Sequence, residues 1–314
     1  MNLLGIDIGG TRTKLVQIDS GGEVSQRGEI DTQAAMGAAA LGARIHQTIS
    51  GWPKSSTAGL AVAGLLDSDR ELVQAPNLEA FRGVDLAAAF ADFGVATIEN
   101  DVNCAVFGEW QVGAANGLQH VAMLSLGTGV GGGLILNGRL FHGAAGLAGE
   151  FGHMLLDPDG PICPCGLNGH VESWLGQRGF ARAGREHAAA QPGSALAAAV
   201  AAGEDPQASV LARLAGEGCG ASRAALAECG RWLGIACANL VAILQPECIL
   251  IAGGSSRCGD LLLQPALDEY DRRCMEAARR TVPVRIAALG VESAAIGAAL
   301  LAGANLDADP AAGR

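Results

Sequence analysis

Between Gly149 and Glu172 the chain places two imidazoles and two thiols, His153, Cys163, Cys165 and His170, on one short stretch interleaved with the acids Glu150 and Glu172. Two thiolates and two imidazoles complete a closed tetrahedral zinc shell, which holds a loop and leaves no open position for a water nucleophile. A zinc hydrolase is therefore disfavoured. The two acids are not needed by such a metal, and carboxylates beside a pinned loop suit a ligand rich in hydroxyls. His153 can serve both purposes, with one ring nitrogen on zinc and the other N–H donating to a hydroxyl.

Two glycine-rich turns offer a second kind of chemistry. Asp7-Ile8-Gly9-Gly10-Thr11 and the run from Gly127 to Gly133 each follow a short apolar segment. Gly127-Thr128-Gly129-Val130-Gly131-Gly132 fits the dinucleotide pattern, but a strand rather than a helix follows it, so a Rossmann site is rejected. Either turn alone is readable as an ordinary tight turn. Two at equivalent places, with a third glycine pair at Gly253-Gly254 after an apolar strand, favour backbone N–H groups that cradle phosphate. The phosphate-binding set is then Gly9, Gly10, Thr11, Gly127, Thr128, Gly129, Gly131, Gly253 and Gly254, with Asp7 placed to hold Mg²⁺ through water. Arg12 and Lys14 either reach a phosphate or stand solvated. Asp101 ends the segment Glu99-Asn100-Asp101 and is readable as a general base or as the N-cap of a helix over Val102 to Phe107.

These residues need a scaffold, and the chain supplies the same unit twice. Leu3 to Ile8, a turn, and Thr13 to Ile18 read as a β-hairpin; Val121 to Leu126, the glycine run, and Leu134 to Leu136 repeat it. The pattern predicts helix over 34–50, strand over Ala58 to Ala63, helix over Ala87 to Phe93 and strand over Ala96 to Ile98. Beyond Glu172 it predicts one or two helices over Ala221 to Leu244, a buried strand over Cys248 to Ala252, and helices over 259–279 and 292–302. The expected fold class is α/β, a duplicated two-domain fold with a cleft between the copies. Expected boundaries are 1–112 and 113–290 for the two domains, 291–304 for a C-terminal helix packing back on the first, and 305–314 for a frayed tail.

The 314 residues are 49% hydrophobic and 17% charged, enough for two cored domains. No unbroken apolar run reaches the roughly 18–20 residues of a membrane span, and no basic leader precedes the first strand, so no membrane partner and a cytoplasmic location are expected. Nine cysteines, only two closely spaced, fit reduced thiols and a metal clip. A net charge of −11 opposes nucleic acid as a partner.

Asp7 to Thr11, Glu99-Asn100-Asp101-Val102-Asn103, Gly127 to Gly133, Gly149-Glu150-Phe151-Gly152-His153, and Cys163-Pro164-Cys165-Gly166 with Gly169-His170-Val171-Glu172 resemble the ROK family of repressors, open reading frames and sugar kinases. Pro246 to Gly254 and Ala294 to Ala299 extend the likeness to the C-terminus. The resemblance implies an actin-like ATPase (ribonuclease H-like) fold, ATP-dependent phosphorylation of a hexose with Mg²⁺, a structural Zn²⁺ and a homodimer. The family commonly has cysteine where His170 stands, and histidine remains a competent ligand there.

Joined to that resemblance, the chemistry makes Asp101 the base that takes the hydroxyl proton. Asn77, Asn100, Glu150, His153 and Glu172, with Asp101, become the sugar-binding residues. The expected activity is glucokinase-like, since Glu150 favours an unsubstituted hexose such as glucose. Kinases of N-acetylmannosamine, N-acetylglucosamine or fructose are the alternatives, with discrimination in loops 64–84 and 140–148. Polyphosphate stays open beside ATP as donor. A repressor is disfavoured because the first phosphate loop leaves no room for a preceding DNA-binding domain. A non-catalytic sugar sensor is disfavoured by the intact Asp7, Asp101 and glycine loops.

Overall fold

The computed structural model describes residues 1–307 apart from Ser68 and Arg280. Contacts divide the described residues into two compact units: residues 1–119, 133–149 and 288–307 form the first, and 120–132 with 150–287 the second.

The first sheet is built from β1 (Leu3–Ile8), β2 (Arg12–Ile18), β3 (Val24–Asp31), β4 (Thr57–Val62) and β7 (Val95–Asn100), in the order β3-β2-β1-β4-β7. β1, β2 and β3 are antiparallel neighbours, whereas β4 and β7 add in parallel. A small hairpin, β5 (Leu65–Leu66) with β6 (Leu72–Gln74), follows β4. Helices α1 (Gly37–Thr48) and α2 (Leu86–Ala89) bring Leu41, Ile45 and Leu86 to a core that contains Ile6, Ile8, Leu60, Phe81 and Phe90. α3 (Asp101–Val112) starts directly where β7 ends.

The second sheet repeats this logic with β8 (Val121–Leu126), β9 (Val130–Leu136), β10 (Arg139–Leu140), β11 (Cys248–Ala252) and β12 (Val284–Ile286), ordered β10-β9-β8-β11-β12. β8, β11 and β12 run parallel and β10 returns antiparallel on β9. The matching order of the two sheets is that of the actin-like ATPase fold. Its helices are α4 (Val171–Leu175), α5 (Gln177–Ala190), α6 (Ala195–Ala201), α7 (Ala208–Gly216), α8 (Gly220–Leu244) and α9 (Asp260–Arg273).

α10 (Ser293–Asp307) packs against β1, β4 and α3 within the first unit. Backbone lies so close there that a Cβ on Gly5 would sit 1.9 Å from the Ala295 carbonyl oxygen, and one on Gly59 1.9 Å from that of Ala298. Only glycine permits such an approach of helix to strand. The two strands held this way end near Asp7 and beside β7, so the helix stiffens the base of the region that carries Asp101. The segment expected as a tail from 305 lies partly beyond the described residues, since helix continues to Asp307.

Most predicted elements form within a residue or two of their expected ends. β9 begins at Val130 rather than Leu134, because Gly131 to Gly133 belong to the strand. Gly133 faces α3, where a Cβ would meet Val106 at 2.8 Å, so this glycine serves close packing in a strand rather than the turn before it. The helix expected over 259–279 stops at Arg273. α8 is one helix, ending in a left-handed Gln245 whose N–H bonds to the Val241 carbonyl. It is long and apolar enough to cross a membrane, but 56% of its apolar window is buried inside the protein, as befits a core helix.

Candidate functional site

In the first unit Asp7 is the penultimate residue of β1 and is 7% exposed. Burial pushes its carboxyl above the usual range, and Lys14, its partner across the hairpin at 3.3 Å, opposes that rise. Lys14 is thus engaged by Asp7. Arg12 lies on the surface beside Asp31, at 3.2 Å, and Glu29. The glycine turn closes through Gly9 N–H to the Arg12 carbonyl at 3.1 Å. Thr32 buttresses it: its N–H donates to the Thr11 carbonyl at 2.8 Å and its hydroxyl to the Gly9 carbonyl at 2.6 Å. Gly10 abuts Asn77, whose Cβ would lie 2.4 Å from a Cβ on Gly10. A residue picked for phosphate and one picked for sugar therefore touch, a proximity that sequence separation hides.

Asn100, not Asp101, is the N-cap of α3. Its Oδ1 accepts the N–H groups of Val102 at 2.9 Å and Asn103 at 3.0 Å. Its Nδ2 donates to the Gly64 carbonyl at 3.0 Å and to Asp101 Oδ1 at 3.1 Å. Such a cap contributes about 1 kcal/mol to its helix. Asp101 stands in the first turn of the helix rather than at its cap position, and its Oδ1 also accepts the Val102 N–H at 3.0 Å.

In the second unit the glycine run turns through Gly127 N–H to the Gly129 carbonyl at 2.9 Å, and Gln177 N–H at the start of α5 reaches the Gly127 and Thr128 carbonyls at 3.1 Å. Gly127, Thr128 and Gly254 line one cavity of about 510 Å³ together with Gln177, Ser255 and Arg257. Gly253 does not line it. Its φ of +82° and a would-be Cβ contact of 2.4 Å with the Leu126 carbonyl show that it permits the close approach of the β11 and β8 ends. Gly129 and Gly131 also lie off the cavity wall. Arg257 and Gln177 were missed in the sequence because each is a single polar residue near a helix start, with no spacing that marks it.

Glu172, in the first turn of α4, bonds through Oε2 to the N–H of Val130 at 2.8 Å. Its Oε1 lies 3.9 Å from Cys163 Sγ. α4 is anchored by Trp174, which stacks on Trp232 of α8 with centroids 3.8 Å apart and carries the Arg182 guanidinium 4.6 Å from its ring centre. Glu150 opens a short 3₁₀ turn over Phe151–His153. Burial lifts its carboxyl above the usual range, with His153 opposing and Glu172 adding to the rise. Gly152 packs on β9, since a Cβ there would meet the Val130 carbonyl at 2.0 Å. The loop of acids is thus seated on the strand that leaves the glycine turn.

The four candidate metal ligands converge. One ligand atom from each of His153, Cys163, Cys165 and His170 lies within 4.8 Å of every other, and Cys165 Sγ is 3.2 Å from His170 Nδ1. A tetrahedral zinc with bonds of about 2.0–2.3 Å sets its donors about 3.3–3.8 Å apart, so a small closing motion suffices and the donor set fits. The loop is pre-shaped by bridges pairing Leu155 with His170 and Ile162 with Asn168. In the turn that carries both thiols, the Cys163 N–H bonds to the Leu167 carbonyl and Gly166 N–H to that of Cys163, both at 2.8 Å. Burial first, then neighbouring Cys165 and Glu172, push the Cys163 thiol up to about 11; a bound cation would counter that rise.

Comparison with known proteins places these features in a family. The family model described as ROK family matches residues 3–305. The chain is 33% identical to a glucokinase of Streptomyces coelicolor over 316 residues, covering 95% of this chain and 96% of that protein. It is 33% identical to an N-acetylmannosamine kinase of Citrobacter koseri over 211 residues, covering 65% of this chain and 72% of the other. Among solved structures it is similar to a ROK family glucokinase from Streptomyces griseus in complex with glucose and AMPPNP, with a TM-score of 0.85, 29% identity, and coverage of 97% of this chain and 100% of that one.

Proposed function

The chain belongs to the ROK family and is a sugar kinase, and from that premise we propose that it transfers the γ-phosphoryl group of ATP to a hydroxyl of glucose, with Asp101 as the base. The observation that carries the reading is the Asn100–Asp101 pair: Asn100 spends its Oδ1 on capping α3 and its Nδ2 on Gly64 and Asp101. A side chain so occupied holds its neighbour's carboxylate in one orientation, which a base acting on a bound hydroxyl requires.

In this reading Asn77 and Asp101 of the first unit meet sugar hydroxyls, as do Glu150, His153 and Glu172 of the second; Asn100, expected among them, has both amide hydrogens and both Oδ1 lone pairs engaged within the protein and orients Asp101 instead. Phosphates are met in the first unit by Gly9, Gly10 and Thr11, with Asp7 holding Mg²⁺ through water. In the second unit they are met by Gly127, Thr128 and Gly254. Gly129 supports this cradle by leaving room for the Glu172 carboxylate, and Gly253 by letting the β11 end approach the β8 backbone. Zinc, held by His153, Cys163, Cys165 and His170, would supply charge and rigidity. Substrates carry the reacting groups, and this chain's residues align them and remove the proton.

The similarity to both glucokinases and an N-acetylmannosamine kinase makes a sugar panel the deciding experiment. Purified protein with ATP and Mg²⁺ should phosphorylate glucose with a higher kcat/KM than N-acetylmannosamine, N-acetylglucosamine or fructose. A reversed order would overturn the assignment of substrate and leave the kinase assignment standing. Replacing ATP with polyphosphate in the same assay tests the donor. We also read the assembly as a homodimer, as the family resemblance implies; light scattering that returns a monomer would refute it.

A further inference from the structure

Glu99 is the penultimate residue of β7, one before Asn100, and its side chain is only 4% exposed. Its Oε1 accepts the backbone N–H of Asn100 at 2.9 Å and Asn103 Nδ2 at 3.0 Å. Its Oε2 accepts from His142 Nε2 at 2.8 Å and from the Arg70 guanidinium. One carboxylate thus gathers donors from the strand end, the first turn of α3, the tip of the β5–β6 hairpin and the segment after β10.

Neither outer donor is driven to this place by burial, since the Arg70 and His142 side chains are 41% and 29% exposed. Arg70 is held there by its turn. Its φ is +64°, a conformation uncommon for a residue with a side chain. Asp67 imposes it: the Asp67 carboxylate accepts the N–H groups of Asp69 at 2.9 Å and Glu71 at 3.0 Å, while its carbonyl accepts that of Arg70 at 3.1 Å. The segment after β10 also touches the hairpin at Gly146, whose added Cβ would lie 3.1 Å from the Leu66 carbonyl. At the base of the same hairpin, Gly64 accepts Asn100 Nδ2.

Burial alone would raise the Glu99 carboxyl, but His142, Arg70 and Asn103 outweigh it and hold the group below the ordinary carboxylate range. Ionised at neutral pH, it accepts at both oxygens, so His142 must be the donor in their bond. A buried charge with four donors is stable only while the donors stay. Displacing either loop leaves that charge short of a partner, and the Asn100 amide shares the same oxygen pair.

We infer that Glu99 is a positioning residue for the sugar-phosphorylating reaction: it clasps residues 65–74, through Arg70, and residues 139–148, through His142, to the backbone of Asn100. Ordering of the two loops and orientation of the Asn100–Asp101 pair are then one event. Arg70 and His142 accordingly set sugar selectivity without being bases. The inference rests on the reading that Asp101, oriented by Asn100, meets the sugar.

The test is two-substrate kinetics on the full chain with Arg70→Ala, Arg70→Lys, His142→Ala and Glu99→Gln. Arg70→Ala and His142→Ala should each raise the sugar KM roughly tenfold or more and lower kcat several-fold, with the ATP KM held within about twofold. Arg70→Lys should recover part of the loss. In the Glu99→Gln background, Arg70→Ala should add little, because its partner is already gone. Hydrogen exchange should rise in 139–148 when Arg70 is truncated and in 65–74 when His142 is truncated, and this readout holds even if Glu99→Gln does not fold. Unchanged sugar kinetics in both alanine variants, or exchange that rises only in the loop carrying the substitution, overturns the clasp. Asp101→Asn with undiminished turnover would instead sink the assignment of the base, while the exchange measurement judges the clasp by itself.

Discussion

The Glu172 carboxylate accepts the N–H of Val130 at 2.8 Å and occupies the space into which a side chain on Gly129 would project, its Oε2 lying 2.2 Å from a Cβ built there. A residue read as sugar-binding is therefore locked to a turn read as phosphate-binding, within one unit of the chain. Its other oxygen faces Cys163, so the same side chain joins the turn to the metal loop.

That relationship changes what a glycine substitution reports. Gly129→Val must push Glu172 aside, so it should raise the apparent KM for sugar and for ATP together, each by roughly tenfold or more. Gly254→Val has open space around the new side chain and lines the cavity shared with Thr128. It should raise the ATP KM alone. Steady-state kinetics with each substrate varied in turn separates the two cases, and an ATP-only effect at Gly129 would contradict the packing of Glu172.

Asp101→Asn should keep the shape of the first turn of α3 and the cap made by Asn100. Sugar binding, measured by calorimetry, should stay within a few-fold of wild type, while turnover falls by roughly 10²–10⁴, the usual contribution of general base catalysis. Turnover near wild type would exclude the proton-accepting role.

Zinc should be present at one ion per chain in elemental analysis of the purified protein. His170→Cys should retain it, because thiolate is an equally good tetrahedral donor, and Cys165→Ala should lose it. Loss should loosen the loop bearing Glu150, His153 and Glu172, weakening sugar binding before ATP binding. Metal-free wild type with full activity would refute the structural role.

Asp7 provides a prediction with a definite sign. Its carboxyl is raised in the folded protein, chiefly by burial, so between the unfolded value of 3.8 and the higher folded value the native state holds more protons than the unfolded state. The Asp7 contribution to stability is then most favourable below 3.8 and declines as pH rises through that window. Asp7→Asn removes the cost of a buried charge and should raise the thermal midpoint at neutral pH, while activity falls with the loss of the magnesium-directed carboxylate. A lower midpoint for the asparagine variant at pH 7 would show that the pair with Lys14 outweighs burial.

The sequence by itself determined the repeated hairpin units, the strand over Cys248 to Ala252 and the metal quartet, because each depends on local periodicity or on side-chain types at short spacing. Apolar alternation marks a strand wherever it lies, and two thiols with two imidazoles on one loop have few other uses. Tertiary structure alone decided which residue caps α3, since Asp and Asn are both good caps and adjacent positions differ only in backbone angle. It alone brought Gly10 against Asn77, Glu172 against Gly129, and Arg70 and His142 onto Glu99, contacts between residues 29 to 67 positions apart in the chain. It also separated the glycines that line the cavity from Gly129 and Gly253, which exist to let backbone approach backbone or carboxylate. A glycine looks the same in sequence whether the space beside it is filled by a ligand or by the protein's own atoms, and only packing distinguishes the two.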